Sequence, residues 1–291
     1  MTPKISIVTP SFQQAQYLEQ TILSVLEQNY QPLEFIVIDG GSTDGSVDII
    51  RKYEDRISYW LSEKDRGQAH AINKGLAHAT GDIFAYLNSD DLYLPEAFSK
   101  VIQYFSDHPD CDWLCGNTLM FGDGEPDRVI SADVPRSCAQ ALSWAYTAPQ
   151  PGMFWKRELV RDGFDERWRY CFDHELYVRL LLAGHKCEHL PTTVAAYRLH
   201  QTSKTIAEGP LFDREFDEIA AIYEPRLTGS GRRWCVATRH LRESFAASTS
   251  GRRGAAVKSL LNAVLIHPES ILHRPFWGCL RRVMPLVPLK P

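Results

Sequence analysis

Hydrophobic and polar positions switch period repeatedly along the first hundred residues. Residues 4–9 are β-branched at nearly every second position and read as a short strand bounded by Pro10. Leu18, Ile22, Val25 and Leu26 then recur at helical spacing, which predicts a helix over 14–28. Residues 33–38 form an almost wholly apolar run, the pattern of a strand buried on both faces. A loop of glycine and small polar residues, 39–46, opens a second helix reaching about Tyr53. A strand at 57–61, a helix carrying Ala69, Ile72, Leu76 and Ala79, and a strand at 82–87 continue the alternation. Pro95 suits the first turn of the next helix, whose apolar face is Phe98, Val101, Ile102 and Phe105. Repeated strand–helix units of this kind predict a parallel sheet with right-handed crossovers.

Beyond residue 110 the pattern is mixed. Residues 113–115, 118–121 and 128–130 read as short strands, with Gly122-Asp123-Gly124 as a turn. The aromatic stretch 150–155 reads as strand or loop, followed by a short helix ending at Gly163. A helix over 173–183 is stopped by Gly184, and 187–198 supplies one or two strands. The last ninety residues carry three amphipathic helical patterns, around 212–223, 234–245 and 256–266, with a break at 248–254. The expected division is a catalytic α/β domain, 1–205, and a helical extension, 206–291.

Composition adds two constraints. At 291 residues, 44% hydrophobic and 23% charged, the chain can bury a full core as a soluble globular protein. No apolar run approaches the roughly 18 residues that span a bilayer, and no signal sequence opens the chain. Seven cysteines without a C-x-x-C pair suit a reducing cytoplasm. The net charge of −4 hides an asymmetry, because 12 Lys and Arg but only 2 Asp and Glu lie beyond Pro225. Arginines alternate there with Trp234, Phe276 and Trp277, a composition that fits an anionic membrane surface, a helical cap on the catalytic domain or an oligomer contact. Nothing in it supports nucleic-acid binding.

Candidate chemistry sits at the ends of the predicted strands. Tyr86-Leu87 runs into Asn88-Ser89-Asp90-Asp91, and two adjacent carboxylates belong either in a solvated turn or beside a hard divalent cation that also carries a diphosphate. Asp39 ends the second strand, where it could accept bonds from a nucleoside or simply brace an Asx turn. Ser11 is a possible helix cap. Asp173 falls in the first turn of its helix, as a cap or as a base that the helix dipole tends to keep ionised. Arg198 and His200, two apart, share a strand face. The cluster around His185 and His189 lacks a second set of ligands and reads as surface. A dinucleotide-type G-x-G-x-x-G after the first strand and a P-loop are both absent.

In order, 7–12, 36–45, 65–67 with 73–75, 86–91, 150–152 and 172–176 make a set that resembles the family 2 glycosyltransferases. The resemblance covers about residues 4–200 and implies a GT-A type fold: a mixed, mostly parallel sheet flanked by helices, here with a helical C-terminal extension. It implies that Thr9, Pro10, Ser11, Phe12 and Asp39 hold the nucleotide, with Arg66 and Asn73 nearby and Asp90 and Arg198 at the donor. Asp90 and Asp91 correspond to the D-x-D element that binds Mn²⁺ or Mg²⁺, with His200 as a further contact. Asp173 corresponds to the catalytic base of an inverting hexosyl transfer. Asn88 and Phe172 stand where many members carry acidic residues.

The implied partners are a UDP-, GDP- or dTDP-sugar and a saccharide or lipid-linked acceptor, in cell-surface polysaccharide or glycolipid synthesis. Peripheral contact with the inner membrane face through the basic segment is part of that expectation. The competing readings are a nucleotidyltransferase and a non-catalytic sugar-binding module.

Overall fold

The computed structural model describes residues 2–123, 126–143, 146–201, 203–204, 208–272 and 274–283. The chain forms two compact units, Met1–Arg136 with Tyr146–Asp217, and Ser137–Ala145 with Glu218–Pro291.

The first unit is built on a mixed sheet. Its strands are β1 (Ile5–Ser11), β2 (Leu33–Asp39), β3 (Tyr59–Ser62), β4 (Ile83–Tyr86), β5 (Leu92–Tyr93), β6 (Trp113–Gly122), β7 (Arg128–Ile130), β8 (Met153–Lys156) and β9 (Cys187–Leu199). They lie in the order β3-β2-β1-β4-β8-β6-β9-β5, with β7 against β6. Neighbours from β3 to β4 are parallel; β8 runs antiparallel to both β4 and β6, and β6 and β9 are again parallel. The mostly parallel α/β sheet expected from the alternating pattern is therefore present.

Helices α1 (Ala15–Leu26), α2 (Ser46–Lys52), α3 (Gln68–His78), α4 (Ala97–Asp107) and α6 (Phe172–Leu182) follow their strands. Ile5, Ile7, Phe35 and Val37 meet Leu18, Ile22, Val25 and Phe98 in one apolar layer. Val8, facing the other way, packs so closely on α3 that a Cβ on Gly75 would sit 2.5 Å from it. Helices on both faces explain why these strands lack polar alternation. One buried exception is Glu34 in β2. Burial opposes its charge, yet bonds from Lys4, Ser6 and Thr80 bring its carboxyl down to about 2.

Three boundaries differ from the sequence reading. Pro10 lies inside β1, because β4 pairs only as far as Val8↔Tyr86 and no β4 partner demands a proline N–H there. The two strands expected at 113–121 are one, interrupted by register shifts around Asn117 against β9. Pro95 precedes α4, since Glu96 takes a left-handed conformation before the helix opens at Ala97. Gly124 of the expected turn lies outside the described residues.

The second unit is helical. The short α5 (Cys138–Ala141) packs with α8 (Gly229–Thr249) through a Cys235 thiol that donates to the Ala139 carbonyl. Helices α9 (Arg253–Ile266) and α10 (Arg274–Val283) join α8 around Ala237, Leu241, Leu260 and Phe276. α10 is a helix beyond the three expected. Helix α7 (Gly209–Tyr223) begins in the first unit and ends in the second. Among the described residues no helix is long and apolar enough to cross a membrane.

Candidate active site

Parallel pairing aligns the carboxyl ends of β1, β2 and β3, with Ser11 opposite Asp39 and Asp39 opposite Ser62. The two loops leaving β1 and β2 are clipped together. Gln13 exchanges bonds with Thr43 and its N–H donates to the Ser42 hydroxyl, while the Ala15 N–H donates to Asp44. Asp39 is buried, and its carboxylate accepts from the Gly41 and Ser42 N–H groups and from the hydroxyls of Ser42 and Ser62. That is the loop-bracing geometry. Thr9 and Ser11 point buried hydroxyls that find no protein partner among the described residues. Phe12 is 60% exposed at the same edge, and a Cβ on Gly40 would lie 3.2 Å from its ring and 2.7 Å from Asp65 Oδ2. Only glycine lets these groups approach so closely.

β9 brings the most distant part of the chain to this edge. Leu92 pairs with Ala196 and Tyr93 with Ala195, so the short β5 zips the residues just before it against the end of β9. As a result the Arg198 N–H donates to Asp91 Oδ1 at 2.9 Å, and the Asn88 amide donates to Asp91 Oδ2 at 3.2 Å. Asp91 is fully buried; burial and the charge of Asp90 push its carboxyl well above the usual carboxylate range. Asp90 turns the other way, with Oδ2 3.0 Å from Nε2 of the buried His200. The Arg198 guanidinium is held inward by the Asp90 carbonyl and Gln20, between the rings of Tyr17 and Phe121.

Gln68 and Lys204 gave no signal in the sequence, and Gln150 entered it only as part of the 150–152 motif. Gln68 donates to Asn88 Oδ1, and Gln150 bridges the Asn88 amide and the Tyr86 carbonyl. Lys204 donates to Gln68, within reach of the charges of Asp90 and Asp65. Each joins segments far apart in the chain, so no local spacing reveals it.

Asp173 opens α6, where its Oδ1 accepts the His174 N–H at 2.7 Å. Burial raises its carboxyl to about 6, outweighing its backbone bonds and the Tyr177 hydroxyl. The helix dipole tends to keep this carboxyl ionised, and desolvation opposes it. The Tyr86 phenol, buried at the end of β4, is pushed up by its own burial and by the charges of both Asp173 and Asp91. One side chain thus lies within the field of the two carboxylates.

Arg66 and Asn73 are engaged elsewhere. The exposed Arg66 guanidinium pairs with Glu166 at 2.6 Å. The Asn73 amide closes two bonds with the backbone of Phe164 and a third to Glu166. His185 pairs with Asp112 and His189 with Asn117, both half-buried and not on the open surface.

Among the described residues no three His, Cys, Asp or Glu side chains gather as a ready metal cage. The donor set fits a cation completed by substrate oxygens: one partly accessible carboxylate, Asp90, beside one imidazole, His200.

Residues 6–160 match the model of glycosyl transferase family 2. TuaG of Bacillus subtilis (strain 168), a glycosyltransferase named for teichuronic acid biosynthesis, is 37% identical over 134 residues. That stretch covers 45% of this chain and 53%, about half, of TuaG. A glycosyltransferase of Mycobacterium tuberculosis (strain CDC 1551 / Oshkosh), itself uncharacterised, is 32% identical over 201 residues, 66% of this chain and 72% of its own length. In fold, TarS 1-349 of S. aureus, solved with UDP-GlcNAc, superposes with a TM-score of 0.68 at 16% identity. The match covers 92% of this chain and 82% of that one. The mannosyltransferase PcManGT of Pyrobaculum calidifontis, solved with GDP-Man and Mn²⁺, gives 0.55 at 21% identity, covering 97% and 84%. With the ordered motifs, the GT-A type sheet and a family match over more than half its length, this chain belongs to glycosyl transferase family 2.

Proposed function

We propose that the chain transfers a hexosyl group from a nucleoside-diphosphate sugar to an acceptor hydroxyl, with inversion at the anomeric carbon. The observation that carries this reading is that Tyr86 links the two carboxylate centres: its ring lies 6.0 Å from that of Phe172, the neighbour of Asp173, and its carbonyl is joined through Gln150 and Asn88 to Asp91. Asp173 is the base. It takes the proton of the acceptor hydroxyl as that oxygen forms its bond to the anomeric carbon, from the face opposite the donor diphosphate. The bond from the anomeric carbon to the diphosphate oxygen breaks, and its electron pair leaves with the nucleoside diphosphate.

Asp90 and His200 are the protein ligands for Mn²⁺ or Mg²⁺, and Asp91 anchors the end of β9 through Arg198. When bound, the cation neutralises charge gathering on the leaving diphosphate. Lys204 adds a positive charge on the same side. The nucleoside lies between Phe12 and the Asp39 loop, where Thr9 and Ser11 offer unpartnered hydroxyls and Pro10 shapes the wall. Asp39 acts by holding that loop, and Asn73 by holding Glu166 against Arg66.

The donor is a UDP-, GDP- or dTDP-sugar and the acceptor a saccharide or lipid-linked saccharide; the name of TuaG, given for teichuronic acid biosynthesis, favours cell-surface polysaccharide synthesis. We assign catalysis to residues 1–205, with 206–291 as a basic extension. Seven free, buried cysteines support a cytoplasmic setting.

The test is incubation with a panel of nucleotide sugars and Mn²⁺, followed by NMR of the product's anomeric centre. Metal-dependent release of nucleoside diphosphate with an inverted product is expected. Retention of configuration, or pyrophosphate release from a nucleoside triphosphate and a sugar phosphate, would overturn the reading.

A further inference from the structure

We propose that the second unit docks on an anionic membrane surface through the outer faces of α9 and α10, with Arg232 and Arg233 gripping lipid phosphates. Exposed apolar side chains are concentrated in this unit. Ten large ones are exposed among the described residues; seven belong here, and five of those fall between 261 and 277. Scattered single residues would need no explanation, but this density does.

The two helices show why. Leu260 and Ala263 of α9 meet Phe276 and Cys279 of α10 in the unit's core. Leu261 and Leu265, one turn apart, are left on the outside of α9, with Leu265 79% exposed. Trp277 and Arg281, also one turn apart, are left on the outside of α10, and Leu272 in the turn before it is 76% exposed. A helix pair buried on its inner face and apolar on its outer face calls for a second apolar phase.

Charge selects the occupant. Beyond Pro225 stand 12 Lys and Arg against 2 Asp and Glu. Among the described residues, Arg232, Arg233, Arg252, Arg253, Lys258 and Arg281 form no ion pair. Arg232 and Arg233 line a cleft of about 530 Å³ with Leu227, Thr228 and Ile266, the last of these adjacent to Leu265. Two unpaired guanidiniums beside an apolar floor suit a phosphate that carries hydrocarbon. A second copy of the same face would bring a strongly positive surface against its equal, which like-charge repulsion disfavours. An anionic bilayer supplies both the negative charge and the apolar phase. The contact proposed is peripheral; among the described residues no helix is long and apolar enough to cross a membrane.

The test is flotation of the full chain with vesicles of phosphatidylcholine alone or with ~30 mol% phosphatidylglycerol, at low and high salt. Flotation with the anionic vesicles only, weakened by salt, is expected. Leu261→Glu/Leu265→Glu should abolish it. Arg232→Ala/Arg233→Ala should weaken partitioning roughly thirtyfold, since each cation near such a surface contributes ~1 kcal/mol. These positions are exposed, and unchanged thermal melts and nucleotide binding would show that the fold and the transferase site are intact. Equal flotation with neutral vesicles, no flotation at all, or variants that float like the parent would overturn the proposal. So would a dimer, seen by light scattering, that the Glu substitutions dissociate; that result would assign the face to a second copy.

Discussion

The Arg198 N–H and Asp91 Oδ1 lie 2.9 Å apart, joining residues 107 positions distant in the chain. Their neighbours Asp90 and His200 make a second, more accessible pair beside them. The two adjacent carboxylates thus differ in duty, and substitutions should separate them. Asp91→Ala leaves the Arg198 N–H without an acceptor in a buried place, at a cost of about 1–3 kcal/mol, and leaves the Asn88 amide with Gln150 alone. A clear fall in Tm is expected. Asp90→Ala should leave Tm within a degree or two and lower Mn²⁺-dependent transfer by about a hundredfold or more. Equal effects of the two changes on Tm would refute this division.

Asp173 governs a pH dependence. Its carboxyl titrates near 6 in the fold, above its ordinary value, so the base form is lost as pH falls through about 6. Transfer measured at saturating donor should decline along that limb, while donor binding persists. The stability sign is the reverse of a salt bridge's. A carboxyl raised on folding favours the folded state at low pH, and that advantage disappears as pH rises from about 4 to about 6. Asp173→Asn should therefore abolish transfer yet raise Tm at pH 7 to 8. A lowered Tm together with lost donor binding would remove Asp173 from the role of base.

Glu34 supplies the opposite case. Its carboxyl stands at about 2 in the fold, so its stabilisation is present above its ordinary pKa and is lost as pH falls through about 2. Glu34→Gln should cost roughly 2 kcal/mol at neutral pH, because Lys4 and the Thr80 N–H lose a charged acceptor. Chemical denaturation of both proteins at pH 7 and pH 2.5 checks it. The gap between them should shrink at the lower pH.

Asn73 closes a pair of bonds with the Phe164 backbone. Asn73→Ala should lower stability by about 1–3 kcal/mol and raise the KM for donor through the loosened Glu166–Arg66 pair, with kcat little changed. A fall in kcat at constant KM would contradict that positioning role.

The parallel half of the sheet was legible because strands covered on both faces are nearly unbroken apolar runs, and helices such as α1 and α4 repeat at 3.6. Asp90, Asp173, Arg198 and His200 stood out as candidates because they lie at ends of such elements and match the family's motifs, and the fold brings Asp90, Arg198 and His200 together. What the sequence hid depends on distant partners. The break in β6 is a register slip against β9, so its two halves looked like separate strands. β5 has only two residues and exists through its pairing with β9. Gln68 and Lys204 join the site only when distant loops meet.

The clips between Gln13 and Thr43, Gln13 and Ser42, and Ala15 and Asp44 have a thermodynamic consequence. They fix both loops at the sheet edge within the protein itself. A nucleoside seated between them has little backbone to immobilise, so the entropy usually lost in ordering a binding loop has already been lost in folding. Breaking a single clip should therefore appear first as faster ligand escape, before any change in the fold is measurable.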